Sequence, residues 1–183
     1  IDSRKVEGGD LFVALPGENH DGHHFIGQIA DKISAAVVTR RCAEVDITQW
    51  VVDDTERALG NLAKMRRERF SGPVIAITGS SGKTSVKEYV AAILTNSGVV
   101  HATVGNYNNH IGLPLTLLDL PAKSDFLVLE MGASGAGDID YLCTVGRPSI
   151  ALVNNVLMCT YSAWAFVAVA ALATVWHPIP GIR

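Results

Sequence analysis

The sequence predicts an α/β protein, a small mixed α/β N-terminal domain followed by a parallel-sheet domain. Two observations carry that prediction. From about residue 74 to residue 153, short apolar runs alternate with helical patterns, as strands do when crossover helices join them in a parallel sheet. Residues 1 to about 70 have a different rhythm, and Ser71-Gly72-Pro73 breaks the chain between the two textures. Domains are therefore expected at residues 1–71 and 72–157, with an apolar tail of distinct character at 158–183.

In chain order, residues 11–15 form a short apolar run suited to a strand, and 35–38 and 50–52 are two more. A helix is expected near residues 25–33, between the first pair. Asp53 stands three residues before Glu56, the spacing of a capping box, and a helical pattern follows to about Phe70. Its last turns are basic, which favours a helix C-terminus. Residues 74–78 read as a buried strand, followed by a Gly/Ser turn and a helix over about 83–96. Residues 99–103 and 126–129 are further strands, and a helix over about 139–145 leads to a strand at 150–153.

With 15 Lys and Arg against 18 Asp and Glu, the chain carries a net charge of -3, which leaves no electrostatic footprint for nucleic acid. Cys42, Cys143 and Cys159 lie far apart and form no CxxC pair. That pattern suits a reducing cytoplasm and opposes a disulfide framework or a zinc site. The chain starts at Ile1 with no signal peptide, and is expected to be a fragment.

The sharpest motif is Thr78-Gly79-Ser80-Ser81-Gly82-Lys83-Thr84, followed by Ser85. It lies after an apolar strand and opens a helix, the context of a phosphate-binding P-loop. Glycines let the backbone turn so that N–H groups point inward at phosphate oxygens, and the helix N-terminus adds partial positive charge. Lys83 is expected to neutralise the β- and γ-phosphates of ATP, and the Thr84 hydroxyl to bind Mg²⁺. The loop is the short Gly-x-x-Gly-Lys-Thr form, because Ile77 stands where the general motif has its first glycine. Glu130, at the carboxyl end of the 126–129 strand, is the candidate acidic ligand for the metal.

Gly105-Asn106-Tyr107-Asn108-Asn109-His110-Ile111-Gly112-Leu113-Pro114 reads by composition as a turn-rich loop. With the short P-loop, Leu129-Glu130-Met131-Gly132-Ala133 and Asn154-Asn155-Val156, it resembles the central domain of the Mur ligases. Asp2-Ser3-Arg4, the run from Gly9 to Leu15, Gly17-Glu18 and Asp21-Gly22-His23 resemble that family's UDP-sugar domain. The P-loop followed by Val86-Lys87-Glu88 is similar to the branch that adds D-alanyl-D-alanine.

The resemblance spans residues 1 to about 157. It implies a cytoplasmic, monomeric, ATP- and Mg²⁺-dependent ligase of peptidoglycan synthesis. Its substrates are then UDP-MurNAc-tripeptide and D-alanyl-D-alanine, joined through an acyl phosphate. Lys83, Thr84 and Glu130 are then expected to do the charge work, with Asn108 and Asn109 shaping the loop beside the reacting phosphates. Ser3, Arg4, Asp21, Gly22 and His23 line or support the uridine-diphosphate pocket. A different Mur ligase or a folylpolyglutamate synthetase shares the P-loop and the chemistry.

Three other groupings have plainer readings. His20, His23 and His24 lie in a loop without a helical i, i+4 pair, which suits a substrate-pocket loop better than a metal site. Asp53 and Asp54 read as a helix cap rather than catalytic carboxylates. Asp138 and Asp140 sit at an expected helix start, favoured by its dipole.

The tail departs from the family. Residues 148–182 contain no Asp, Glu, Lys or Arg, and Thr160 stands about where a metal-binding histidine is expected. The later lysine and the amino-acceptor domain are absent, so the chain as written is expected not to complete the ligation and to be poorly soluble. Residues 156–176 are apolar enough for a membrane span, which would make the chain an anchored nucleotide-binding module. We read the tail instead as a frame-shifted or otherwise aberrant C-terminus. A buried core helix is the third reading.

Overall fold

The computed structural model describes residues 1–17 and 21–155. The tail readings, with Thr160 and the apolar run, lie outside the described residues, as does His20. The chain divides into two compact units, Ile1–Asn61 and a second that begins at Leu62.

In the first unit, β1 (Asp10–Val13), β2 (Ile33–Val38) and β3 (Thr48–Val51) form a parallel sheet in that order. Phe12 pairs with Ala36 and Val13 with Val37. Phe12, Ala14, Ile33, Ala36 and Val38 bury one apolar cluster with Ile26 and Ile29. The two isoleucines come from α1 (Ile26–Ile29), a single turn that follows a 3₁₀ turn over Gly22–Phe25. The helix expected to run to residue 33 thus ends at Ile29. Ile33 and Ala35 have their side chains in the sheet core, and that burial outweighs continuation of a short helix.

Helix α2 (Thr55–Glu68) is capped by Asp54 rather than Asp53: Asp54 Oδ1 accepts the N–H groups of Glu56 at 2.8 Å and Arg57 at 3.0 Å. Either residue suits a cap by type. The buried Thr55 hydroxyl decides between them, because it donates to the Ala14 carbonyl at 2.9 Å and places Thr55 as the first helical residue.

The second unit is a four-stranded, wholly parallel sheet. Its strands are β4 (Val74–Gly79), β5 (Val100–Ala102), β6 (Phe126–Glu130) and β7 (Ile150–Asn154), in the order β5-β6-β4-β7. Alternation along each strand sends side chains to opposite faces. Ile75, Ile77 and Val128 pack under Val86, Val90 and Leu94 of α3 (Lys83–Leu94). Val74, Ala76, Leu127 and Leu129 face a larger cluster with Leu113 and Leu117 of α4 (Gly112–Leu118) and Leu142 and Val145 of α5 (Asp138–Gly146). Burial on both faces explains why these strands read as continuous apolar runs.

The order of strands fixes where chemistry can occur. The connection leaving β4 runs to β5, while the one leaving β6 runs to β7 on the other side. The crevice at the carboxyl ends of the adjacent β4 and β6 is therefore a topological switch point, the usual ligand position in an open parallel sheet.

Helix α4 is an addition to the sequence reading, which takes its first residues for loop. Asn109 Oδ1 accepts the N–H groups of Gly112 at 2.8 Å and Ile111 at 3.2 Å, and so closes the helix start. Pro114 lies in the first turn, where a missing N–H costs nothing. Gly112 is required by packing: a Cβ there would lie 2.4 Å from the Tyr107 Cα.

Candidate active site

Three loops meet at the carboxyl edge of the second sheet. From β4 comes the segment from Gly79 to Thr84, whose strained turns need glycine. Gly79 has φ 141° and Gly82 φ 73°. A Cβ on Gly79 would lie 1.7 Å from the Asn154 carbonyl oxygen, and one on Gly82 2.6 Å from the Asn154 side-chain amide. From β7, Asn154 and Asn155 bind this loop directly. Asn154 Nδ2 donates to the Ser81 carbonyl and Asn155 Nδ2 to the Ser81 hydroxyl, both at 3.0 Å, while the Ser80 N–H donates to the Asn155 carbonyl at 3.2 Å. The asparagine pair braces the turn from its neighbouring strand.

Lys83 begins α3, half-buried, with its ammonium on the Gly79 carbonyl at 2.9 Å. Ser80, Ser81, Thr84 and Ser85 are exposed around it. Backbone N–H groups, a helix start and an ammonium thus converge on an open surface, the arrangement that binds an anion such as a nucleotide phosphate.

Across the switch point stands Glu130, the last residue of β6 and only 2% exposed. Its Oε1 accepts from Asn108 Nδ2 at 2.7 Å, and its backbone N–H donates to the Thr103 hydroxyl at 3.0 Å. Its Oε2 is buried without a hydrogen-bond partner among the described residues. Leaving a buried carboxylate oxygen unpaired costs on the order of 1–3 kcal/mol, so a fixed orphan of this kind fits a divalent cation. No cluster of three His, Cys, Asp or Glu side chains occurs among the described residues. Mg²⁺ needs none, because it takes one or two protein oxygens and completes its shell with water and phosphate.

The two adjacent asparagines separate in use. Asn108 is drawn to Glu130 and held there by the Gly132 N–H, which donates to its carbonyl at 2.8 Å. Asn109 spends its side-chain oxygen on the start of α4. Lys87, one helical turn beyond Lys83, is a residue that sequence reasoning names only within the family resemblance and with no role of its own. Its side chain is buried and its ammonium donates to the Thr103 carbonyl at 2.7 Å. Asp138 Oδ2 accepts the N–H groups of Ser134 at 2.7 Å and Gly135 at 2.8 Å, which holds its carboxyl below the usual range and closes the turn before α5.

In the first unit, Asp21, Gly22 and His23 form one constellation. The Thr39 N–H donates to His23 Nε2 at 2.9 Å, so that nitrogen carries no proton and Nδ1–H faces Asp21 Oδ1 at 2.6 Å. Both ring nitrogens of this buried histidine are occupied, which leaves no lone pair for a metal. Gly22 fits because a Cβ there would lie 2.9 Å from the Ala14 Cα and the Leu15 nitrogen. Ser3 and Arg4 sit in a 3₁₀ turn at the start of the chain, Arg4 being paired with Asp2 through Nε at 2.9 Å and Nη2 at 3.0 Å.

Burial raises the Asp21 carboxyl, but the His23 N–H, the Arg40 guanidinium at 2.6 Å and the His23 ring together hold it well below the carboxylate range. A carboxyl lowered in the folded state stabilises fully above the unfolded value of about 3.9, and that contribution is lost as pH falls through the folded value. Asp21→Asn is expected to cost about 1 kcal/mol at pH 7, discounted for its partial exposure, with the gap to the parent protein closing on acidification. Urea unfolding checks both, with the full gap expected at pH 7 and a gap that has only begun to narrow at pH 3.

A model of the Mur ligase family catalytic domain matches residues 1–67, and one of the Mur ligase middle domain matches residues 77–157. The chain belongs to the Mur ligase family. Its relatives include UDP-N-acetylmuramoyl-tripeptide–D-alanyl-D-alanine ligases. That of Synechocystis is 46% identical over 158 residues, covering 85% of this chain and 35% of that protein. That of Escherichia coli K12 is 46% identical over 154 residues, covering 84% and 34%.

Among solved structures, the Acinetobacter baumannii ligase named for UDP-N-acetylmuramoylalanyl-D-glutamyl-2,6-diaminopimelate and D-alanyl-D-alanine superposes with a TM-score of 0.85 at 38% identity, covering 97% of this chain and 40% of that one. MurF ligase from Thermotoga maritima, solved in complex with ADP, gives 0.78 at 39%, covering 84% and 36%. The chain spans about a third of the length of the curated relatives it matches. No described helix is long and apolar enough to cross a membrane.

Proposed function

We propose that this chain is part of an ATP-dependent ligase that adds D-alanyl-D-alanine to UDP-MurNAc-tripeptide in cytoplasmic peptidoglycan synthesis. The observation that carries the reading is the convergence of the Lys83 loop with Glu130, a buried carboxylate with one unpaired oxygen, at the switch point of the sheet. The relatives of Synechocystis and Escherichia coli bear the name of that ligase, and the Thermotoga maritima structure holds ADP in a similar fold.

On this reading, residues 1–71 form the UDP-sugar domain and 72–157 part of the ATP-binding domain. Gly79, Ser80, Ser81, Gly82, Lys83, Thr84 and Ser85 take the nucleotide phosphates. Thr84 and Glu130 hold Mg²⁺, which when bound neutralises phosphate charge. Lys83 orients the γ-phosphoryl group toward the terminal carboxylate of the tripeptide, whose oxygen attacks the phosphorus as the bond to the β-phosphate breaks, giving an acyl phosphate and ADP. The amine of D-alanyl-D-alanine attacks that carbonyl and phosphate leaves. Asn108 keeps Glu130 in place, Asn109 shapes the loop beside it, and Ser3, Arg4, Asp21, Gly22 and His23 line or support the uridine-diphosphate pocket. The protein works as a monomer.

The test supplies the purified protein with ATP, Mg²⁺, UDP-MurNAc-tripeptide and D-alanyl-D-alanine, and follows ADP and the pentapeptide product together. Equal amounts of both support the reading in a protein that carries the whole ligase. ADP formation that requires folate and glutamate instead points to a folylpolyglutamate synthetase and overturns it.

A further inference from the structure

Lys87 is 1% exposed, an unusual position for an ammonium. Burying such a charge costs several kcal/mol, and an apolar side chain of similar length would pack there at lower cost. Its partners are the Thr103 carbonyl at 2.7 Å and Glu88 Oε1 at 2.8 Å, the latter on a side chain 66% exposed. A pairing with so exposed a carboxylate contributes little stability.

What the ammonium does hold is Thr103, the residue just beyond β5. The Thr103 N–H donates to the Val128 carbonyl at 3.0 Å, its carbonyl receives Lys87, and its hydroxyl receives the Glu130 N–H at 3.0 Å. Thr103 is thereby fixed at three points, one of them the backbone of Glu130. Lys83 and Lys87, four residues apart, lie on the same face of α3. One side chain reaches the phosphate loop and the other the strand end that aims the carboxylate.

We propose that Lys87 is a positioning residue that, through Thr103, sets Glu130 against the P-loop helix and so tunes divalent-cation affinity, an inference that rests on Glu130 as the metal-holding carboxylate. It requires no contact between Lys87 and either metal or nucleotide. Removing its ammonium frees the Thr103 carbonyl and lets the end of β6 drift relative to α3. Removal of such outer partners typically weakens metal binding 10–100-fold.

The experiment is calorimetric titration of ADP at a series of Mg²⁺ concentrations, and in EDTA, with thermal unfolding alongside. Lys87→Met and Thr103→Val are each expected to raise the Mg²⁺ requirement by about 10–100-fold, with ADP affinity in EDTA unchanged. A Lys87→Met protein that melts lower yet keeps the parent's Mg²⁺ dependence is merely braced by the lysine, and overturns the proposal. If Lys87→Met does not fold, an unchanged Mg²⁺ dependence in Thr103→Val overturns it equally. Glu130→Gln separates the two levels. If it loses the Mg²⁺ response while Lys87→Met and Thr103→Val keep it, the positioning role fails and the metal site stands. If Glu130→Gln keeps the response, the metal assignment itself fails and the proposal with it.

Discussion

Lys83→Ala is expected to weaken nucleotide binding about 100-fold, or roughly 3 kcal/mol, while leaving the fold as stable as before or slightly more so. The split follows from where the ammonium sits. A positive side chain in the first turn of a helix opposes the helix dipole, usually by about 0.3–1 kcal/mol at an exposed site. Among the described residues Lys83 returns one hydrogen bond, to the Gly79 carbonyl. Its position is thus unfavourable for the empty loop and favourable once an anion is bound. Fluorescence-detected ADP binding and urea unfolding of the same preparation measure the two halves. A variant that loses stability and binding in proportion would instead make Lys83 a structural residue.

Gly79→Ala is expected to be among the most destabilising single changes available to this chain, by about 4 kcal/mol. The new Cβ would lie 1.7 Å from the Asn154 carbonyl oxygen, and φ at 141° is a conformation that alanine rarely adopts. Gly79 is paired with Asn154 in the β4–β7 ladder, so relief of the clash must open the ladder where Asn154 and Asn155 brace the turn from Gly79 to Thr84. Gly135→Ala is the control, since nothing lies within 4 Å of its Cβ position and its φ is not positive, and it is expected to be near neutral. Urea midpoints compare them, and equal midpoints would contradict the packing argument.

The parallel sheet was legible because its central strands, β4 and β6, are buried on both faces and so read as unbroken apolar runs between turn residues. The glycine turn between β4 and α3 was legible because it is specified by local residue types at fixed spacing, with an apolar run before and a helical pattern after. The start of α4 was not, since Gly112 and Pro114 both read as breakers. The glycine answers a close approach to Tyr107, and the proline falls where a helix tolerates it. Lys87 was named in the sequence only as part of a resemblance. Nothing in a run such as Ser85-Val86-Lys87-Glu88 says which charged side chain points inward, because that depends on β5 lying beside α3. The division of labour between Asn108 and Asn109 is tertiary for the same reason, and so is the choice of Asp54 over Asp53.

The most direct test of the central claim, a Mg²⁺-nucleotide site built from the Lys83 loop and Glu130, is calorimetric titration of ADP into this chain with and without Mg²⁺. The expected result is one saturable site whose affinity rises with Mg²⁺ and which Lys83→Ala weakens about 100-fold. Absence of ADP binding by a folded chain, or binding indifferent to both Mg²⁺ and Lys83, would contradict it.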